Sequence, residues 1–561
     1  MNVTTRFLNK SNVFCRNIHS ALLHQELKIV HMTEVPLKHL FIKNLRKSAS
    51  VPEALYSTYV NLVDTIASPG SHHQELNKSL MEPYLDLCYI PKEVPPASNY
   101  DFSFESCSSV GTSNESISSM FTQNMDLTKT AEQDGNLGNK RTKDMQRYKT
   151  MRKWKRFGKL KQEVDPNEAF VLRLMSFNIL AQSLLELHPY LYKYHDIAAL
   201  PWKVRKPIIT QEILQAEANV ICLQEMQEDH LDDFLVPFKE QGYDYFYKKR
   251  TNDKDDGLLL MYRTENLTVV DYTKVEMFQS EVELLNRDNV GIIVKFALKD
   301  SPETQFVIAT THLLYNPRRS DVRLGQVQVL LTEIERIAFI ENTMTGPKYL
   351  PIILCGDFNL EPHTGVYKFI TQGLFTYQNK GRNLEPQDYR YLSNVLLPPS
   401  LHITDDCQHF NVLLQRLRGG GRGQVMLENR ENHKNIRRHS TEEIIAEDVS
   451  VNTFTNQYQQ IQLDENNHVK FSSGTLTHPF KFRSAYKHKN RHGYPEATTH
   501  QNNWITVDYI FFSGLEPLGI LSLPTVEQCN DLPTIPNFAV GSDHLCLAAS
   551  FKVLKKKRSN L

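Results

Sequence analysis

The rhythm of apolar and polar positions changes at about residue 168. Beyond it, short apolar runs closed by a polar or turn residue alternate with a few segments of helical period. Ala169–Leu180 (AFVLRLMSFNIL) predicts a strand ending at Asn178, and Asn219–Leu223 a second with Gln224 and Glu225 at its end. Gly257–Tyr262, Asn289–Phe296, Gln305–His312, Trp504–Phe512 and Leu545–Val553 read as further strands. Pro207–Ala218 carries apolar residues at 208, 209, 213, 214 and 216, an amphipathic helix, and Ser320–Ala338 is also helical in period. In Pro351–Pro362 (PIILCGDFNLEP) an apolar run stops at Gly356, and Asp357 and Asn359 follow two apart, on one side of an extended chain. Strands outnumber helices and polar residues gather at strand ends. This predicts an α/β sandwich whose site is built from strand-end loops.

The flanks lack this rhythm. Residues 1–165 hold Ser-, Asn- and Pro-rich pieces such as Ser103–Ser119, with a short helix near Glu53–Ile66, and predict mostly disorder. Between Gln415 and His468 the pattern collapses, starting from RGGGRG at Arg418–Gly423; we expect a mobile insertion there. The ordered domain is therefore expected over 168–553, with a basic tail at 554–561.

Charge adds local detail only. The 561 residues hold 64 Lys and Arg against 64 Asp and Glu, so the total says nothing about partners. Lys140–Lys161 packs eleven Lys and Arg around one acidic residue, Asp144, with Tyr148, Trp154 and Phe157 interleaved. Such a stretch suits phosphates and bases, a nuclear signal, or a solvated linker. Residues 1–25 carry Arg6, Lys10 and Arg16, several hydroxyls and no acid, the composition of a mitochondrial transit peptide. The expected compartment is mitochondrial or cytoplasmic, with the nucleus open. Eight cysteines form no CxxC pair, against a disulfide framework or structural zinc. No run reaches the ~18–20 apolar residues of a membrane span, so no membrane partner is expected.

Six strand-end places offer chemistry: Asn178, Glu225, His312, Asp357 with Asn359, Asp508, and Asp543 with His544. Gly-Asp-x-Asn alone is also common turn chemistry. Together, these oxygen ligands suit Mg²⁺ or Mn²⁺, and a hard cation with imidazoles is the equipment of phosphoester hydrolysis.

The order SFNIL, LQE, THLLYNP, GDFN, VDYIF and SDHL resembles the endonuclease/exonuclease/phosphatase superfamily. CLQEMQEDH, LLNRDNVGIIV, THLLYNPRRSDVRLGQ and ITVDYIFF resemble its Angel proteins, relatives of Nocturnin and the cytoplasmic deadenylases. The resemblance implies a four-layer αββα sandwich of two mixed sheets. It implies Glu225 as principal metal ligand with Asn178 beside the ion. Asp357 would handle the attacking water, and Asn359 would hold that water and a phosphate oxygen. His544 and His312 would contact the phosphate. Asp508 would lie near the phosphate and His312, and Asp543 would orient His544 or sit near the metal. Asn289 and Pro317 would line the nucleotide cleft, and Arg318 and Arg319 would bind substrate phosphates in fork geometry.

Two departures stand out. Cys546 replaces a Pro common after SDHL, a structural position. Glu496–His500 lacks the aromatic that deadenylases use for base stacking. The expected activity is a Mg²⁺-dependent phosphodiesterase on RNA 3′ ends, removing a 2′,3′-cyclic phosphate or acting as a 3′-to-5′ exoribonuclease. The alternative is an RNA-binding adaptor: Tyr391-x4-Leu396-Leu397 fits the pattern that docks on the cap-binding translation factor.

Overall fold

The computed structural model describes residues 142–158, 164–387, 389–417, 470–501 and 503–556. The transit-like N-terminus, the helix expected near 53–66, and the RGGGRG segment lie outside them.

Two mixed sheets carry the domain. The first holds β1 (Trp154–Arg156), β2 (Ala169–Asn178), β3 (Val220–Gln227), β4 (Tyr243–Lys249), β5 (Asp256–Arg263), β12 (Glu516–Leu521) and β13 (Leu547–Leu554), in the order β1-β12-β13-β2-β3-β5-β4. The second holds β6 (Leu267–Glu276), β7 (Val290–Leu298), β8 (Ser301–His312), β9 (Ile352–Asp357), β10 (Arg483–Ser484) and β11 (Asp508–Ser513), in the order β10-β11-β9-β8-β7-β6. Only β2–β3 and β8–β9 pair in parallel within these sheets.

Alternation along the strands sets the layers. Leu172, Leu174, Val220 and Cys222 of the first sheet meet Ile292, Ile308, Ile353 and Cys355 of the second in one buried core. On the outer face of the first sheet, Met175, Phe177 and Ile221 pack with α2 (Trp202–Gln215) and α3 (Leu231–Lys239). On the outer face of the second, Val307 and Leu354 pack under α4 (Ser320–Ala338) and α5 (Gly365–Gln372). This is the expected four-layer sandwich.

The structure moves several expected boundaries. α2 starts five residues before Pro207, because its first inward position is a charge, the fully buried Arg205, which hid the turn from an apolar count. The strand expected over Trp504–Phe512 breaks at 506–507. There the N–H groups of Val507 and Asp508 donate to the Thr498 hydroxyl (3.0 and 3.2 Å). Residues 415–417, assigned to the insertion, close helix α6 (Phe410–Leu417). The ordered fold also begins earlier than 168. A helix over 142–151, α1, turns Asp144, Tyr148 and Met151 inward at i, i+4 and i+7, and β1 then adds an edge strand to β12.

A second charged feature lies far along α4 from its start. Glu335, fully buried, accepts from Arg416 of α6 at 2.7 and 3.1 Å and from the Tyr349 hydroxyl at 2.8 Å. Glu333 accepts from Arg336 and from His409 at 2.6 Å. The Arg416 guanidinium also stacks 3.7 Å over the Phe339 ring.

Candidate active site

Strand register assembles the centre of the site. Asp357 stands in register with Asp508 of β11 on one side and His312 of β8 on the other. Residues opposite one another on neighbouring strands project from the same face, so the three form one row. Gly356 sets up this row at φ +140°, where an added Cβ would lie 1.9 Å from the Thr311 carbonyl oxygen; only glycine fits.

The first sheet supplies the facing wall. Asn178, the last residue of β2, donates from Nδ2 to Glu225 Oε1 (2.8 Å) and Asp357 Oδ2 (3.1 Å), bridging the sheets. Glu225 sits where the β3 ladder shifts register, at φ +61°, and its Oε2 accepts from the Ala181 N–H (3.1 Å). Leu180 and Asn359 are also left-handed, at φ 58° and 51°. Such non-glycine conformers each cost on the order of 1–3 kcal/mol, and these cluster at the site.

His544 closes the ring. Its Nδ1 donates to Asp508 Oδ2 (2.9 Å), and its Nε2 lies 3.7 Å from Asp357 Oδ2 and 4.0 Å from Asp543 Oδ1. Of the two places expected for Asp543, orienting His544 falls to Asp508, while Asp543 lies near Glu225, the expected metal ligand. Asp508 stands across Asp357 from His312. Asp543 accepts from the Tyr192 hydroxyl (2.9 Å). His312 Nε2 lies 3.5 Å from Asp357 Oδ2. Asn359 donates from its backbone to Asp357 Oδ1 (2.9 Å) and from Nδ2 to the Leu313 carbonyl (3.0 Å).

The expected substrate contacts are less uniform. Asn289, buried, donates to the His312 carbonyl (2.9 Å) and accepts from Gln326 (2.8 Å), so it holds the β8 end in place. Pro317 and Arg318 are exposed on the following loop. Arg319 already forks onto buried Asp321 at 2.9 and 3.1 Å. The leucines of the Tyr391–Leu397 pattern are core residues, 4% and 1% exposed. In the Glu496–His500 stretch, Thr498 fixes Asp508 and Thr499 bridges to His544, so these residues serve the site's scaffold.

Charge balance is the site's most telling property. Burial first, then Asp543 and Asp256, push the Glu225 carboxyl up to about 7. Burial, then Asp508, also raise Asp357. For His544, burial opposes the charged ring, but Asp508, Asp357 and Asp543 outweigh it and hold the imidazolium well above the usual range. Burial lowers His312. Ligand atoms of Asp357, Asp508 and His544 lie within 4.8 Å of one another. Crowded carboxylates with too little positive charge suit a hard divalent cation.

Sequence reading missed the braces. Arg205 donates to the carbonyls of Ile179, Leu180, Leu200 and Gly541 at 2.9–3.0 Å, tying the β2 end to the loop before His544. Its spacing with Ile209 and Ile213 on the inner face of α2 was the available signal. The Ser542 hydroxyl donates to the Asn178 carbonyl (2.6 Å). Asp256, 1% exposed and held by Arg250, faces Glu225 from the neighbouring strand.

Two sheets delivering carboxylates, amides and imidazoles to one rim define a class. The chain belongs to the endonuclease/exonuclease/phosphatase family, whose sequence model matches residues 175–544. Within it, the chain is similar to the Angel proteins. Protein angel homolog 2 of Homo sapiens is 32% identical over 423 residues, covering 69% of this chain and 70% of that one. The Danio rerio homolog is 32% identical over 413 residues, covering 68% of this chain and 64% of that one. The crystal structure of ANGEL2, a 2′,3′-cyclic phosphatase, in complex with adenosine-2′,3′-vanadate matches with a TM-score of 0.55 at 32% identity, over 72% of this chain and 98% of that one.

Proposed function

We propose that this protein is a divalent-cation-dependent phosphodiesterase of RNA 3′ ends that removes a terminal 2′,3′-cyclic phosphate. The observation that carries the reading is the row Asp508–Asp357–His312 with His544 against Asp508, facing Glu225 and Asn178 of the other sheet. ANGEL2, a 2′,3′-cyclic phosphatase, supports the substrate class.

The chemistry divides among these residues. A cation held by Glu225 and Asn178, Mg²⁺ or Mn²⁺, would polarise the phosphoryl oxygen. Asp357, raised by burial and Asp508, is suited to take a proton from the attacking water. His544, kept cationic by Asp508, gives a proton to the ribose oxygen as its P–O bond breaks. One water opens the cyclic diester to a monoester, and a second releases inorganic phosphate. Asn178 holds Glu225 and Asp357 in fixed relation throughout.

Exoribonuclease action would use the same centre and differs in gripping the terminal base. The stretch where a stacking aromatic would sit instead buries Thr498 and Thr499. The test is purified protein with Mg²⁺ and two RNAs, one ending in 2′,3′-cyclic phosphate and one in oligo(A). We expect loss of the cyclic phosphate, abolished in Glu225→Ala. Shortening of oligo(A) alone would replace this reading with the exonuclease, and no change in either RNA would end both.

A further inference from the structure

We propose that α1 and β1 form a cationic track that grips the RNA strand upstream of its 3′ end. The inference rests on the RNA 3′-end reading above and extends it to the body of the substrate. The segment lies outside the 175–544 span that defines the family, and nothing in the hydrolytic chemistry uses it.

The segment is bolted beside the catalytic loop. Arg152 donates to the Ser522 carbonyl (2.8 Å), and its other terminal nitrogen contacts the Cys546 carbonyl and Sγ (3.0 Å), two residues beyond His544. The Tyr148 hydroxyl donates to Glu212 of α2, and Lys153 exchanges two 2.9 Å bonds with Ser522. Arg147 reaches the Asp531 carbonyl (3.2 Å), on the loop that leads to Ser542. β1 runs antiparallel to β12, which runs antiparallel to β13, so Trp154 starts at the rim where β2 ends and β13 begins.

This anchoring uses Arg152, one nitrogen of Arg147 and backbone atoms, and leaves the other cations exposed. Lys143, Arg147, Lys149, Lys153, Lys155 and Arg156 are exposed, whereas the segment's one acid, Asp144, is 8% exposed. Trp154 is 40% exposed beside the Arg173 guanidinium, 6.0 Å from its ring. At the other flank, burial raises the Glu496 carboxyl and the charge of Lys155 opposes that rise. A free polybasic arm would attract any polyanion from a distance. An anchored segment with six exposed cations and an exposed indole, fixed against a phosphoester site, suits the phosphates and bases of a single strand.

The full chain is tested with 5′-labelled RNAs ending in 2′,3′-cyclic phosphate, roughly five and roughly twenty-five nucleotides long, to bracket a single-strand site of this size. Fluorescence anisotropy is read across a salt series, and kcat/KM is compared with that for a mononucleotide 2′,3′-cyclic phosphate. The variant Lys143→Ser/Arg147→Ser/Lys149→Ser is expected to lower the salt slope for the longer RNA by about 2, since each single-strand phosphate contact contributes about 0.7. The kcat/KM ratio of long RNA to mononucleotide should fall about tenfold at low salt. Lys143→Arg/Arg147→Lys/Lys149→Arg should restore both. A slope and ratio equal to those of the native chain would overturn the track. If the native chain binds long RNA with that slope yet hydrolyses no substrate, the track stands and the proposed reaction falls.

Discussion

Two groups of buried carboxylates give this molecule a natural contrast. Around α4, Glu333 and Glu335 are matched by Arg336, Arg416 and His409. Burial raises Glu333, but Arg336 and His409 more than offset it, leaving the carboxyl well below its usual range. At the strand ends, Glu225, Asp357, Asp508 and Asp543 crowd together near His544, with Arg205 and Arg250 behind them, yet Glu225 and Asp357 stay raised. Burial is alike; the supply of positive charge is not. The first group is a closed ion network that fastens α6 to α4. The second leaves its carboxylates short of counter-charge.

The contrast breaks most visibly at Arg416. Arg416→Ala should destabilise the fold by about 3–5 kcal/mol, the usual cost of stranding a buried partner charge, read as a fall in urea midpoint with kcat unchanged. Glu225→Gln should do the reverse: kcat falls about 10²–10³-fold while thermal stability holds or rises, because one of the crowding charges is gone. If Glu225→Gln instead unfolds the protein, the two groups are not different in kind. Asp508→Asn, which weakens the grip on His544 Nδ1, should cost about 10–100-fold in kcat and lower the alkaline limb of the pH–rate profile.

Acidity gives the smallest and sharpest separation, on the order of 1 kcal/mol. Glu225 binds its proton more tightly folded than unfolded. In chelator-treated protein its contribution is therefore complete below the ordinary carboxylate range and fades as pH rises through about 7. Glu333 has the opposite sign: its contribution is present above the ordinary carboxylate range and fades as pH falls through its lowered value. Urea midpoints of native chain and Glu225→Gln should lie close together at pH 5, where the carboxyl is protonated and neutral like the amide, and separate at pH 7.5 with the variant higher. Parallel curves would refute the assignment at Glu225.

Much of the second sheet was legible because its strands are buried on both faces and their apolar runs stop at functional residues. β8 ends at His312 and β9 at Asp357, and both expected runs lead to those residues. The register that aligns them with Asp508 is long-range and has no local signature. That Asp508 rather than Asp543 holds the imidazole was invisible for the same reason: Asp543 adjoins His544 in the chain, but the ring turns toward β11. Arg205 was hidden because a charge on an inner helix face reads as a gap in the apolar stripe. α1 was hidden by its own cations, which outnumber the three residues that face inward.

β1 has a practical corollary. It is three residues long, yet it covers Gly519, Ile520 and Leu521, and the Phe157 N–H extends the ladder to the Leu518 carbonyl (2.8 Å). A recombinant domain begun at Val164, just ahead of the family-matched span from 175, would lose that cover and present β12 as an open seam to the next molecule. Self-association of the shortened protein would then be a product of the cloning boundary and not a property of the enzyme.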